Sequence, residues 1–523
     1  MRQKIKNFFD NNREMIKFWV GIFLFSFITL AITTNNSFLH ATNAWRDANA
    51  FFTVGKSMAN GAILYKDLFE QKGILLYLIY MLGSLITGKE YYGVFLLEVI
   101  FSTIGLFFTY KISRLYVKED KRCKAITAVF WILIITSKAF VYGGSAEEFC
   151  FPLFMISIYY FFRHVKGKEM TYRNFRMIGF LAGCVFLIKY NLLAFWFAFM
   201  AIIFFEGVFR KEYKKTFLCC INFLVPMLIP FAITNIYMFA NDALTDFYEN
   251  YFWVNTIAYA SSRFEQFPYL TRLFLVIMKA ILYNPGFVFT ILFLCLPIIL
   301  LHWKDSWKEK IYLIVLLFFT TIGIFLTINL WDYYILPMMF IMIIPFAITL
   351  DWLFDRPLGS KIEKMLFSTN PWKRGIICVT SICFVILTTN HTEYFLKSKD
   401  EIPLTRFAQI INEEENPTLV NMGGLDVGLY QFADVLPSTY YFEMQYIEYK
   451  NFPYIIDTFK EYIKNQETMF IIFYSKDTVE GIEDEYGKIT EYYDLVDEDY
   501  YESRNIYLFK VKERLENNGN DEW

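Results

Sequence analysis

The chain has 523 residues, of which 56% are hydrophobic, 20% aromatic and only 20% charged, with 59 Phe and 37 Tyr. A soluble domain is typically about 45–50% apolar and about a quarter charged, whereas here the apolar residues gather in long runs that stop near residue 390. This excludes a soluble globular enzyme, a disordered chain and a nucleic-acid binder, and a formal net charge of -2 gives no overall electrostatic pull toward any partner.

A membrane-spanning helix needs about 20 mostly apolar residues. Candidate runs fall at 16–33, 91–110, 125–142, 149–162, 177–189, 192–209, 217–239, 284–301, 311–330, 333–353 and 375–390. Lysine and arginine in short loops mark the cytoplasmic side. Basic clusters sit at Arg2–Lys17, Lys111–Lys124, Arg163–Arg176, Arg210–Lys215, Lys304–Lys310 and Arg356–Arg374. Eleven spans place all of them inside, with a cytoplasmic N-terminus and an outer C-terminus. No clear small-residue cleavage site follows the first apolar run, so it is expected to remain as the first span. The expected location is the plasma membrane, with the bilayer itself as a partner.

Two segments test this scheme. Residues 73–88 are apolar but short, and counting them as a span would turn the basic 111–124 loop outward. They read as a helix lying on the outer surface. The run 177–209 is too long for one helix and carries Lys189-Tyr190-Asn191 in its middle, so it reads as two short spans meeting at the outer face.

Beyond residue 390 the pattern changes. Ile402–Asn412 and Tyr454–Ile463 have helical spacing, while Thr418–Met422, Met469–Tyr474 and Asn505–Val511 read as strands. The acidic stretch Glu480–Glu502 reads as helix or loop, and the last eight residues as frayed. The predicted division is a transmembrane catalytic part over 1–390 and an extracytoplasmic α/β domain over 391–523. The eight cysteines lie in or beside apolar segments and none follows residue 383, so no disulfide scaffold is expected. The four scattered histidines show no zinc-ligand spacing with them. The Gly423-Gly424 pair lacks the spacing of a nucleotide-binding fingerprint.

The first outer loop carries the densest signal. It contains Asn43-Ala-Trp-Arg-Asp47 at the start of an amphipathic helix over 47–59, then Gly61, Tyr65, Asp67 and Phe69-Glu70-Gln71-Lys72-Gly73. By pattern alone Asp47 is a helix cap, since Asp is common there. Its setting nevertheless resembles the GT-C glycosyltransferase superfamily, in particular the protein-mannosyltransferase and aminoarabinose-transferase branch and its bacterial relatives. Asp47 matches the acidic residue that begins the first-loop helix in that family. Gly61, Tyr65 and Phe69–Gly73 match the stretch that follows. Gly144-Ser-Ala-Glu147-Glu148, Gly183 with Lys189, and Asp332-Tyr333-Tyr334 with Pro337 extend the resemblance, which covers roughly residues 15–390. Two departures stand out. Ala48 replaces the second acid of a paired motif, and Gly73-Ile74 replaces a Pro-Pro.

The resemblance implies a polytopic α-helical fold and transfer of a sugar from a polyprenyl-phosphate donor to an extracytoplasmic glycan, lipid or protein. Asp47 would act as general base on the acceptor hydroxyl. The departing phosphate needs positive charge more than an acid, and Lys72, Lys189, Arg263 and Arg272 are the outer-side candidates to supply it. Against these roles stand snorkelling for Lys72, a structural ion pair for Lys189 and plain solvation for the arginines. Glu147, Glu148, Asp332 and Asp67 are the acidic candidates around the cavity or acceptor. A divalent metal bridging Asp47 and Glu147 or Glu148 is the less favoured reading, against solvated acids. Glu98, inside a predicted span, has either a functional or a paired structural role. The competing functions are a polyprenyl-linked polysaccharide polymerase or ligase that relies on outer arginines, a lipid-linked sugar flippase or transporter, and a receptor whose tail is the active part. No internal repeat of the kind seen in transporters is evident.

Overall fold

The computed structural model describes residues 2–259, 262–286, 290, 295 and 307–512, with side chains from residue 13. Most of the predicted span 284–301, Lys304 of one basic cluster and the frayed C-terminal residues lie outside the described residues.

The chain is a helical bundle carrying a small sheet near its C-terminus. The first helix, α1, runs over Arg2–Thr33. It is followed by α2 (Arg46–Ala59), α3 (Ile74–Thr87), α4 (Tyr92–Tyr116) and α5 (Asp120–Ile135). By length and composition five helices among the described residues can cross a membrane: Arg13–Thr33, Tyr92–Tyr116, Tyr190–Phe209, Tyr213–Ala240 and Pro371–Thr388. Asp332–Ile341 and Ile343–Phe354, bent by 62° at Met342, are long and apolar enough only when taken together, as a broken span or a re-entrant loop. Other predicted runs are shorter helices, such as Phe151–Val165 and Tyr172–Phe186 with 15 residues each. An apolar run in the sequence extends over residues that the backbone assigns to turns, so runs overstate helix length.

The two ambiguous segments resolve as follows. Helix α3 has 14 residues, about 21 Å at 1.5 Å per residue, well short of a hydrocarbon core of about 30 Å. It packs closely on α2, where Gly55 lies against the backbone of Tyr80 and Met81. The 177–209 run breaks after Phe186, and Lys189 is extended with φ -156 and ψ 97 before the turn Tyr190–Leu193. Continuing the helix would place the lysine among apolar neighbours, whereas the break lets it reach Glu147.

The C-terminal sheet has the order β1-β2-β4-β3, with β1 (Leu419–Met422) parallel to β2 (Phe470–Ser475). The connection between them carries the helix Tyr454–Asn465. Strands β3 (Tyr493–Tyr501) and β4 (Arg504–Val511) form an antiparallel hairpin. Its tip residues Glu502 and Ser503 both have positive φ, 47° and 67°, as a two-residue hairpin turn demands. The stretch read as helix or loop over 480–502 is helical in its first half, Val479–Tyr486 and Ile489–Tyr492, and is corrected only over β3. Its alternation is broken by an irregularity between Leu495 and Asp497, and its acidic residues lie on an edge strand, where charge discourages further pairing.

This sheet is packed against the first loop. Ala41 N–H donates to the Tyr394 carbonyl at 3.1 Å and Phe69 N–H to the Tyr440 carbonyl at 2.9 Å. Buried residues from both parts, including Phe52, Tyr77, Tyr430 and Phe470, belong to one continuous apolar core. All eight cysteines are unpaired.

Candidate functional site

Two cavities meet where the first loop, the helix break at Lys189 and the C-terminal sheet converge. The larger encloses about 500 Å³ and is lined by Lys72, Lys189 and Arg272 among polar groups and by Ile257, Leu326 and Ile328 among apolar ones. The smaller encloses about 210 Å³ and is lined by Arg46, Asp47, Tyr333 and, from the C-terminal part, Leu425, Gln445, Tyr446 and Glu502. Gln71, Lys72 and Tyr259 line both and form the shared wall.

Asp47 is the second residue of α2, and Trp45 occupies the cap position without a side-chain cap bond. The cap reading is therefore set aside. The Asp47 carboxylate accepts a hydrogen bond from the Tyr333 hydroxyl at 3.1 Å. Burial pushes its pKa above the usual aspartate value, opposed by Lys72, the Tyr333 hydrogen bond, Lys189 and Arg46. A carboxylate with a raised pKa is a stronger base once ionised.

Lys72 is held by its backbone. Tyr65, a buried residue with φ 70°, donates its hydroxyl to the Lys72 carbonyl at 2.7 Å. Gly73 donates its N–H to the Ile188 carbonyl at 3.3 Å, and a Cβ there would overlap the Leu187 carbonyl. This accounts for the departure from proline at position 73, because proline has neither the N–H nor the space. The contact also fixes Lys72 relative to Lys189. Burial would lower the Lys72 ammonium, but Tyr259, Asp47, Glu70 and Glu147 together hold it above the ordinary lysine value. Its Nζ lies 5.9 Å from the Tyr259 ring centre and, among the described residues, is in no ion pair.

Lys189 is bound to Glu147 in a buried ion pair, with side-chain exposures of 10% and 2%. Its ammonium also sits 3.8 Å from the centre of the Tyr334 ring. Glu148 turns the other way. Gly143 and Gly144 have positive φ, and the turn aims the Gly144 N–H at the Glu148 carboxylate, 2.7 Å away. Burial raises the Glu148 pKa to about 8. Glu98 is buried with both oxygens 3.1 Å from the Thr34 hydroxyl.

The sequence candidates thus divide. Asp47, Lys72, Lys189 and Arg272 line the paired cavities, and Glu147 lies behind Lys189. Arg263 lines neither cavity; its carbonyl accepts from the Arg272 guanidinium at 3.0 Å. Asp67 closes a local turn by accepting the Ile63 N–H at 2.6 Å. Asp332 is exposed in the first turn of Asp332–Ile335, outside both cavities. Glu147 is neutralised by Lys189, and among the described residues no group of three or more His, Cys, Asp or Glu is placed to hold a metal.

Several lining residues lay outside the sequence argument. Tyr251 and Asn255 come from Tyr248–Ala258, an 11-residue π-helix, a form that is rare and often found at functional sites. Asn255 donates to the Gln71 carbonyl, and Tyr251 accepts the Tyr190 N–H at 3.1 Å. Arg46 stacks on Tyr474 at 3.8 Å, donates to the Tyr446 hydroxyl at 3.1 Å and pairs with Glu502 at 3.6 Å. The run of aromatic residues at 247–253 was the available signal for the first group. None existed for Glu502, whose role depends on the β3–β4 turn.

The model of the competence-induced Ccs4 N-terminal domain family matches residues 11–385. The chain belongs to that family. Among solved structures, ArnT from Cupriavidus metallidurans bound to undecaprenyl phosphate is similar at a TM-score of 0.59 and 10% identity, covering 96% of this chain and 98% of ArnT. The apo state of the same ArnT gives 0.60 and 12%, with the same coverage. The fold is therefore GT-C-like over nearly the whole chain, including the C-terminal sheet. No curated protein matches the sequence.

Proposed function

We propose that the chain is a membrane glycosyltransferase that moves a sugar from a polyprenyl-phosphate donor to an acceptor hydroxyl. The observation that carries this reading is the shared wall: Lys72 stands between a chamber with Asp47 and a chamber with Lys189 and Arg272. The donor phosphate would lie against these three cations. Its lipid chain would leave past Ile257, Tyr269 and Leu326, apolar residues that are about half exposed at the rim of the larger cavity. The likeness to an ArnT bound to undecaprenyl phosphate supports a donor of this class.

In the transfer step, Asp47 takes the proton of the acceptor hydroxyl as that oxygen bonds the anomeric carbon. The bond from the anomeric carbon to the phosphate oxygen breaks, and polyprenyl phosphate leaves with the electron pair. Lys72, Lys189 and Arg272 stabilise the charge on the departing phosphate. Tyr333 orients the Asp47 carboxylate.

We also read the site face as extracytoplasmic, with residues 1–390 as the membrane catalytic part and 391–523 as an outer domain that completes the site. Helix α4 supports this orientation. Its 25 residues carry the chain from the site end to the basic 111–124 turn, about 37 Å away. The test is Asp47→Asn in full-length protein reconstituted with lipid-linked sugars. The variant should insert and fold normally and lose transfer by about 10²-fold or more. Normal turnover would sink the assignment.

A further inference from the structure

The smaller chamber has a composition that selects its occupant. Its walls carry the rings of Trp45, Tyr142, Tyr259, Trp331, Tyr333 and Tyr446. Between the rings stand two amides, Gln71 and Gln445, and two carboxylates, Asp47 and Glu502. Gln71 is 3% exposed, and its side-chain oxygen is a buried acceptor with no hydrogen-bond partner. Such an acceptor is costly unless a donor arrives.

The charges in this chamber close on themselves. Arg46 is committed to Glu502, Tyr446 and Tyr474, and Lys72 faces the donor side as well as this one. Against these two cations stand Asp47 and Glu502. With Arg46 paired and Lys72 turned to the donor phosphate, no cation of this lining is left over for an anionic lipid headgroup. A peptide would need an extended cleft offering backbone partners, whereas this chamber is about 210 Å³ and capped by the C-terminal part. Aromatic planes interleaved with amide and carboxylate acceptors suit a neutral polyhydroxylated ring, whose C–H faces stack and whose hydroxyls donate and accept.

We infer that the acceptor is the terminal sugar of a neutral glycan, held in this chamber and selected by Gln445, Tyr446 and Glu502 of the C-terminal part. This rests on the glycosyltransferase reading above, with Asp47 as base, and names the substrate class it left open. Gln445 is already engaged, donating to Glu70 at 3.4 Å and to Glu443 at 2.5 Å, so it shapes the chamber floor. Tyr446, 43% exposed and 6.0 Å from Trp331 between ring centres, forms the mouth. Glu502 projects from the hairpin tip, aligned by Arg46.

The test is saturation-transfer NMR on the full chain in nanodiscs. The probes are the methyl glycosides of glucose, galactose and N-acetylglucosamine, with glycerol 3-phosphate and a serine-containing hexapeptide offered in parallel. At least one glycoside should bind, and Tyr446→Ala and Glu502→Gln should each weaken it about tenfold, the scale of one lost hydrogen bond to a charged group. Undecaprenyl phosphate binding, measured on the same samples, should change little in both variants and fall in Lys72→Met. Thermal melts identify a variant that fails to fold, and the other variant then carries the test. Absence of glycoside binding, binding unaffected by either variant, or preferential binding of the phosphate or the peptide overturns the inference. A wild-type protein that binds a glycoside in this variant-dependent way but ignores undecaprenyl phosphate refutes the donor assignment instead, and leaves the sugar site standing.

Discussion

The Glu147–Lys189 pair offers the sharpest test of how the site is held together. Both side chains are almost fully buried, and the lysine ammonium also faces the Tyr334 ring at 3.8 Å and the Tyr333 ring at 5.5 Å. Removing one member of a buried ion pair typically costs about 3–5 kcal/mol, because the other charge is left without compensation. A desolvated cation over an aromatic face recovers roughly 1–2 kcal/mol. Glu147→Gln should therefore destabilise by about 1–4 kcal/mol, less than a bare buried lysine would. Replacing both, as Glu147→Gln with Lys189→Met, removes the stranded charge and should restore most of that loss. The two measurements separate scaffold from chemistry. Melting in detergent would show recovery in the double variant, while undecaprenyl phosphate affinity and sugar transfer would stay impaired, since the cation is gone. A loss below about 1 kcal/mol in Glu147→Gln would refute the reasoning, because the pair would then behave as a solvated surface contact. Full transfer activity in the double variant would remove Lys189 from the phosphate role.

Tyr333→Phe removes the 3.1 Å hydrogen bond that lowers the Asp47 pKa. The acidic limb of the rate–pH profile should lie above the ordinary aspartate range in the wild type and move further alkaline in the variant, with about 1 kcal/mol lost in stability. Gly73→Ala forces a Cβ into the Leu187 carbonyl and should cost about 1–3 kcal/mol in thermal stability, while weakening undecaprenyl phosphate binding by shifting Lys72 against Lys189. Burial raises the pKa of Glu502 to about 7 and of Asp426 to about 6. Between the unfolded carboxylate range and these values the folded state binds more protons than the unfolded one, so stability falls as pH rises. Melting temperature should be higher at pH 5.5 than at pH 8, and Glu502→Gln should flatten that slope. A profile that rises over the same window would contradict the burial of these groups.

The membrane class, the position of the first-loop helix, the break at Lys189 and three of the four strands were legible in the sequence. Each is a local property: an apolar run, a helical period, a charged residue stranded in an apolar stretch. Asp47, Lys72 and Lys189 could be chosen as candidates because charges are rare in such surroundings and are expensive to keep there without a purpose. Which residues those charges touch could not be read, since the partners come from far along the chain. Tyr333 meets Asp47 across 286 positions, and Gln71 meets Gln445 across 374.

Tertiary structure alone decided which of these charges face one another. Asp67, Asp332 and Arg263 carry the same chemistry in sequence as the residues that line the cavities, yet backbone turns direct them elsewhere. Strand β3 escaped detection because an irregular edge strand lacks a clean two-residue alternation, and with it went Glu502. Composition determined where this protein lives and which of its charges are exceptional. The packing of the C-terminal sheet onto the first loop determined the site, because a cavity wall is a property of surfaces brought together and no single segment contains it.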